Sequence, residues 1–592
     1  MKTIIALSAL LMTACTPLMK SNSEKADLIV KNAKVFTHTS GMKNSFAVKD
    51  GKFVAVGDEN ETTKWQGEKT RIIDAQGKTI IPGLIDTHAH PIRAGLNYTL
   101  ELRWDGVKSL KQGLQMIREQ AQRTPADQWV RVVGGWSPYQ FAEKRFPTLK
   151  ELNDASPDRP LFVMYLYSRG FLNQAAVKKL GYNKDTKFPG GEVQLDKNGK
   201  PTGMLLAKPN AFILYKTLVT APKLASLEEE KNSTRLYFQE LSRFGLTTVI
   251  DAGGGGFYFP EDHRVAKDLN DQDQLAVNLP FFLFAPTPGK ELEDFKRWTK
   301  MISPHTQHEL SHIVPYHLVG GGENLTTAAA DFENFLEPRP DLPANMEAEL
   351  KPILALLFKS NWIFRIHATY DESIERVLSV VEELKKEGGP FPERFIIDHA
   401  ETIGEKNLQR IKKLGGGISI QDRMAFQGED FVGRYGAKKA QNAPPIGRIL
   451  ELGIPLGSGT DATRVSSYNP WIALYWMTSG KTVGGLKHLS SENILSREKA
   501  LYALTQGAAW FSKEEQVKGD IQPGKVADFA ILNVDYFTVP EEKIKNIYSV
   551  LTVRAGKVRH GDAEFKSLAP QEQFIKALPS WSPVNYFGGY QL

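Results

Sequence analysis

The chain has 592 residues, 41% hydrophobic and 24% charged, the balance of a soluble globular protein too long for one small core, so two domains are expected. A net charge of +6, with no Lys/Arg cluster interleaved with aromatics, gives no footing for a nucleic-acid partner. The single cysteine, Cys15, excludes an internal disulfide framework and a cysteine-based zinc site.

Lys2 supplies a positive n-region, residues 4–12 an apolar h-region, and Leu11-Met12-Thr13-Ala14 leads into Cys15. This reads as a secretory signal ending in a lipoprotein-type box, too short to span a bilayer as a mature helix. Processing would leave Cys15 as a lipidated N-terminus on a polar tether (residues 20–25). Thr16 rather than Asp after the cysteine points to the outer membrane, facing periplasm or cell surface, by resemblance to known lipoproteins. The competing reading is a plain cleaved signal, because Met12 stands where the box prefers Leu.

Past the tether, residues 28–36 and 46–56 read as strands, the second broken at the turn pair Asp50-Gly51, and a short strand at 79–81 runs into Pro82. At the far end, 527–532 and 550–559 read the same way, the latter turning at Ala555-Gly556. Both ends are therefore β-rich, whereas in the middle apolar runs alternate with amphipathic helices, the signature of α/β folding. The helix at 373–387 carries Ile374, Val377, Leu378, Val381 and Leu384 on one stripe and ends at Gly388-Gly389. Buried strands are expected at 130–133, 161–166, 247–250, 281–284, 313–319, 363–367, 395–399, 418–420 and 454–457, besides the one before His88. Ten exceeds the eight of a TIM barrel, so some belong to insertions.

In Gly83-Leu84-Ile85-Asp86-Thr87-His88-Ala89-His90, two imidazoles stand two residues apart at the end of an apolar run. Residues i and i+2 of a strand share a face, so His88 and His90 can converge on one divalent metal. A bare His-x-His is as readily a pair of loop histidines; its company decides. His317, His367, His399 and Asp461 also fall at or near the C-terminal ends of apolar runs, where barrel enzymes place their chemistry. His38, His263, His305, His308, His488 and His560 sit in polar or turn contexts and read as surface residues; His312, opening a strand, reads as structural.

These motifs resemble the amidohydrolase superfamily, and within it the YtcJ-like branch that includes N-substituted formamide deformylases. Ile80-Ile81-Pro82-Gly83-Leu84-Ile85-Asp86-Thr87-His88-Ala89-His90 is similar to the first metal motif, Ile366-His367-Ala368 to the Ile-His-Ala motif, and Asp398-His399-Ala400-Glu401 to the Glu-His-Ala motif. Gly457-Ser458-Gly459-Thr460-Asp461 is similar to the Gly-Ser-Asp motif, and Gly524-Lys525-Val526-Ala527-Asp528 to the signature where the chain re-enters a small β-sandwich. The resemblance implies an α/β fold: a TIM-like (β/α)8 barrel (82–518) with a small β-sandwich from both termini (27–81 and 519–592), after a leader and tether (1–26). It also implies that His88, His90, His367, His399 and Asp461 hold a divalent metal, zinc first, as one or two ions, and that Asp461 is the general base. Metal-activated water cleaving an amide or other non-peptide C–N bond of a small molecule is the favoured function. Ester or lactone hydrolysis or ring deamination, and a non-catalytic surface binding lipoprotein, are the alternatives.

The chain also departs from the branch. His317 aligns with the strand-end lysine whose carboxylated form bridges two metals, Thr369-Tyr370 replaces Gly-Asp, and Gln421-Asp422-Arg423-Met424 lacks a histidine common there. Without an anionic bridge one tightly held metal is expected, with His317 a further ligand or a donor behind the ligands, unless Glu323 or Glu401 takes over the bridging. Arg423, Trp136 and Tyr370 are expected pocket walls.

Overall fold

The computed structural model describes residues 25–188, 190–254, 258–305, 314–339, 341–570 and 578–583. Cys15, the leader, most of the tether, His308 and His312 lie outside them. Among the described residues no helix is long and apolar enough to cross a membrane.

Eight parallel strands form the central sheet in sequence order: β1 (Leu84–Ala89), β2 (Leu246–Asp251), β3 (Leu279–Leu283), β4 (Tyr316–Gly321), β5 (Ile363–Ala368), β6 (Ile396–His399), β7 (Gly417–Gln421) and β8 (Leu456–Gly459). The sheet curls until β8 meets β1. Two glycines make that seam: a Cβ on Gly457 would fall 2.6 Å from the Thr87 side chain, and one on Gly459 would fall 2.4 Å from the His88 amide. Beyond it, the Asp461 amide donates to the His88 carbonyl (2.7 Å) and the His90 amide to the Ala462 carbonyl (3.1 Å). Ile85, Ile250, Phe282, Val319, Ile363 and Ile396 pack with Ala508, Ala509 and Phe511 of the 3-10 helix Ala508–Ser512 in a core inside the barrel. The opposite, C-terminal mouth is left for polar side chains.

All ten expected strands are present, and the two surplus ones have a clear home. Val130–Val133 and Leu161–Tyr165 join Arg169–Leu172, Glu192–Leu195 and Pro201–Leu206 in a separate five-stranded sheet inserted between β1 and β2. The helix Asp371–Lys386 begins two residues before the expected start, with Asp371 and Glu372 in its first turn, where carboxylates favour the helix dipole.

Two further sheets follow, one of four N-terminal strands and one of five strands in which both chain ends meet. Their hairpins turn as the sequence dictates: Asp50 and Gly51 (φ 48° and 74°) and Ala555 and Gly556 (φ 50° and 74°) adopt the paired left-handed conformations of a type I′ turn. The expected strand 28–36 is two strands instead. The chain breaks at Asn32 (φ 52°), sending Leu28–Lys31 into one sheet and Lys34–Val35 into the other. Between the sheets, Phe46, Phe53 and Phe529 make edge-on and tilted contacts with centroids 4.8–6.3 Å apart in a core shared by both termini.

Candidate metal centre

At the mouth, four strand ends converge. β1 brings His88 and His90, β5 His367, β6 His399 and the turn after β8 Asp461. The His88 and His90 rings lie 5.4 Å apart, as same-face residues should. His399 (φ 76°), Ala400 (φ 55°) and Asp461 (φ 53°) are all left-handed. Non-glycine residues adopt that conformation at a cost on the order of 1–3 kcal/mol each, and such strain gathers where side chains must be aimed.

Glu323 stands in the middle. Its Oε1 lies 3.4 Å from His90 Nε2, and its Oε2 lies 3.3 Å from His88 Nε2, 3.3 Å from His399 Nε2 and 3.5 Å from His367 Nδ1. Asp461 Oδ1 lies 3.0 Å from His90 Nε2 and 3.7 Å from His88 Nε2. The run Gly320-Gly321-Gly322 explains how a carboxylate two residues past β4 reaches this point. A Cβ on Gly320 would sit 2.0 Å from the Ile363 carbonyl oxygen and one on Gly322 (φ 129°) 2.1 Å from that of Arg365, so only glycine lets this segment lie against β5. Glu323 is then pinned from both sides, its amide donating to Ala252 (2.6 Å) and its carbonyl accepting from the His367 amide (3.1 Å).

In three of the four rings the other nitrogen is tethered. His90 Nδ1 is bound to the Gly253 carbonyl, and His88 Nδ1 faces Asp398 at 3.0 Å, with Arg365 Nε donating to the same carboxylate at 2.8 Å. His367 Nε2 is held by Asp331 (3.2 Å) and Glu333 (3.4 Å). Such partners orient metal-binding imidazoles and choose which nitrogen points inward.

Burial raises a carboxylate's pKa, but here the imidazoles outweigh it. His88, His367 and His399 hold Glu323 well below the usual range, and His90 and His88 do the same for Asp461. Burial pulls the His88 imidazole down, and the carboxylates of Asp398 and Glu323 overcome it, raising it to about 9.

The residues fit a divalent cation. Two ligand atoms about 2.1 Å from a tetrahedral ion lie ~3.4 Å apart, which is the spacing found between these nitrogens and oxygens. The trios His88/His90/Glu323, His88/His399/Asp461 and Glu323/His367/His399 each place their ligating atoms within 4.8 Å of one another. His88 Nε2 and His399 Nδ1 are buried with no hydrogen-bond partner among the described residues.

Several expectations are corrected. His317 is the second residue of β4, far down the barrel from Glu323. Its Nδ1 bonds the Val314 carbonyl (2.9 Å) and its ring stacks on His305, so it takes no place in the cluster. Glu401 is bound by Arg423 (2.6 Å) and belongs to none of the three trios. Arg423 itself is fully buried, locked by Glu333 (2.7 Å) and Glu401, and walls no open pocket. Trp136 packs among Trp104, Phe141 and Tyr165, and Tyr370 against Phe335 beneath Arg339. His263 and His488 are buried rather than exposed: His263 bonds the Tyr316 hydroxyl (3.1 Å), and His488 Nε2 accepts from Trp476 Nε1 (2.9 Å). Of the two carboxylates named from the sequence, Glu323 is the one that reaches the imidazoles.

A (β/α)8 barrel whose strand ends gather four imidazoles and two carboxylates at its C-terminal mouth defines the class of barrel hydrolases built around metal ions. The chain belongs to the amidohydrolase family, whose model matches residues 71–560. It is 26% identical to Protein LONG AFTER FAR-RED 3 of Arabidopsis thaliana over 86% of this chain and 88% of that protein. It is 23% identical to the N-substituted formamide deformylase of Arthrobacter pascens over 91% of this chain and 99% of that one. Among solved structures, an uncharacterized metal-dependent hydrolase from Pyrococcus horikoshii superposes with a TM-score of 0.61, at 19% identity, over 87% of this chain and 99% of that one. That likeness establishes the shared fold.

Proposed function

We propose that this chain hydrolyses an amide or other non-peptide C–N bond of a small molecule with two divalent cations, zinc by the imidazole-rich donor set. His88, His90 and Asp461 would hold one ion and His367 and His399 the other, with Glu323 shared between them in place of a carboxylated lysine. The carrying observation is Glu323, one carboxylate within 3.5 Å of a nitrogen of all four histidines. Such ions supply a nucleophilic water at neutral pH and polarise the scissile carbonyl. Asp461, held ionised and aimed into the cluster, accepts the water's proton and delivers it to the departing amine. Similarity to a deformylase over nearly the whole chain favours the C–N bond over an ester. Cys15 would carry a lipid anchor and hold the enzyme at the outer membrane.

Elemental analysis of protein purified without chelator tests the centre. Two metals per chain surviving dialysis are expected, falling to one or fewer in Glu323→Gln; a wild-type ratio of one would remove Glu323 as the bridge. Release of free amine, rather than alcohol, from a substrate panel tests the bond.

A further inference from the structure

Ten arginines are more than nine-tenths buried among the described residues. Seven of them, Arg103, Arg235, Arg243, Arg365, Arg394, Arg423 and Arg554, have a carboxylate within 4 Å. Arg131 donates to the Pro222 carbonyl. Arg93 and Arg464, 5% and 6% exposed, have no carboxylate that close among the described residues, and Nε and Nη2 of Arg93 have no hydrogen-bond partner there. A buried cation without a counter-charge is destabilising, and two side by side more so.

Both stand beside the metal centre. Arg93 lies three residues after His90 on the helix Pro91–Asn97, within the electrostatic reach of Asp461 and Glu323. Arg464 lies three residues after Asp461, close enough to Arg93 for the two charges to repel. The inserted sheet walls them in. Gly134 (φ 64°) presses on the 462–464 segment so closely that a Cβ there would lie 1.6 Å from the Thr463 carbonyl oxygen. From the insert, Tyr215 places its ring 5.5 Å from the Arg464 guanidinium and stacks at 5.1 Å on Tyr167.

Building on the hydrolytic reading above, we propose that Arg93 and Arg464 bind a carboxylate of the substrate, so that the enzyme acts on amides of the N-acyl amino acid type. A carboxylate brings one negative charge and accepts two parallel N–H bonds from a guanidinium fork. A doubly charged phosphate would crowd Asp461 and Glu323, which Arg93 already senses.

The probes are N-acetyl amino acids and their methyl esters, a pair differing only in the charge. Wild-type enzyme is expected to cleave the acid over the ester by on the order of 10²-fold or more in kcat/KM. Arg464→Gln should bring that ratio toward one, chiefly through KM, and Arg464→Lys should keep part of it because a point charge replaces the fork. Acid-induced thermal stabilisation of chelator-treated wild-type protein, absent in Arg464→Gln, would place the anion on the arginines rather than on the metal ions. Equal cleavage of acid and ester overturns the proposal while the hydrolytic reading stands. No cleavage, with acid binding that still depends on Arg464, overturns the hydrolytic reading and leaves the anion site. Acid preference surviving in both Arg464→Gln and Arg93→Gln, binding that vanishes with the metals, or no acid-specific binding across the panel overturns the proposal.

Discussion

The two ends of the barrel both bury a histidine near a carboxylate, and they use it for opposite ends. At the floor, Glu514 accepts from Lys518 (2.6 Å) and Ser512 (2.8 Å), and His317 bonds a backbone carbonyl through Nδ1 while its Nε2 is buried without a partner among the described residues. The charges of Glu514 and Lys518 there are paired with each other. At the mouth, Glu323 and Asp461 face four imidazoles whose inward nitrogens include orphaned His88 Nε2. Four imidazoles gathered around two carboxylates form a donor set that a divalent cation from outside can fill. His317 and Glu323 are six residues apart along the same strand segment, yet one belongs to packing and the other to chemistry.

The largest effect is expected at the mouth. Asp461→Asn preserves size and shape while deleting the proton acceptor, and turnover of metal-loaded enzyme should fall on the order of 10²- to 10⁴-fold. Wild-type turnover by that variant, measured on any substrate the enzyme accepts, would remove Asp461 from its role.

The floor should answer to acid instead. Burial lowers the His317 pKa to about 4, whereas an unfolded histidine titrates near 6.5. Between those values the unfolded chain binds the extra proton, so stability is full above about pH 6.5 and is lost as pH falls toward 4, by on the order of 3 kcal/mol for this one group. His317→Gln should flatten that slope in denaturant titrations and leave metal content unchanged. Metal lost with His317 would erase the distinction between the two ends.

The smallest effect concerns the leader. Cys15→Ser should move the protein from membrane to soluble fractions while its melting temperature stays the same. Wild-type protein found wholly soluble, with an N-terminus other than Cys15, contradicts the anchor.

What was legible from residues alone is local. His88-Ala89-His90, the I′ turn pairs Asp50-Gly51 and Ala555-Gly556, and all ten strands follow from spacing and from backbone preferences that act within a few residues. The convergence of His367, His399 and Asp461 was legible because each ends an apolar run, and barrel topology brings all such ends to one face. What the tertiary structure decided is non-local. Strands 130–133 and 161–166 carry the same apolar pattern as barrel strands, and only their pairing with each other and of the second with Arg169–Leu172, which in turn pairs with Pro201–Leu206, takes them out of the barrel. His263 and His488 lie in polar stretches of sequence, and burial comes to them from helices and strands distant along the chain. The place among the imidazoles went to Glu323 rather than His317 because strand register sets depth in the barrel. The close approach of β4 to β5, which Gly320 and Gly322 permit, carries the chain past the strand end to where one carboxylate meets four imidazoles.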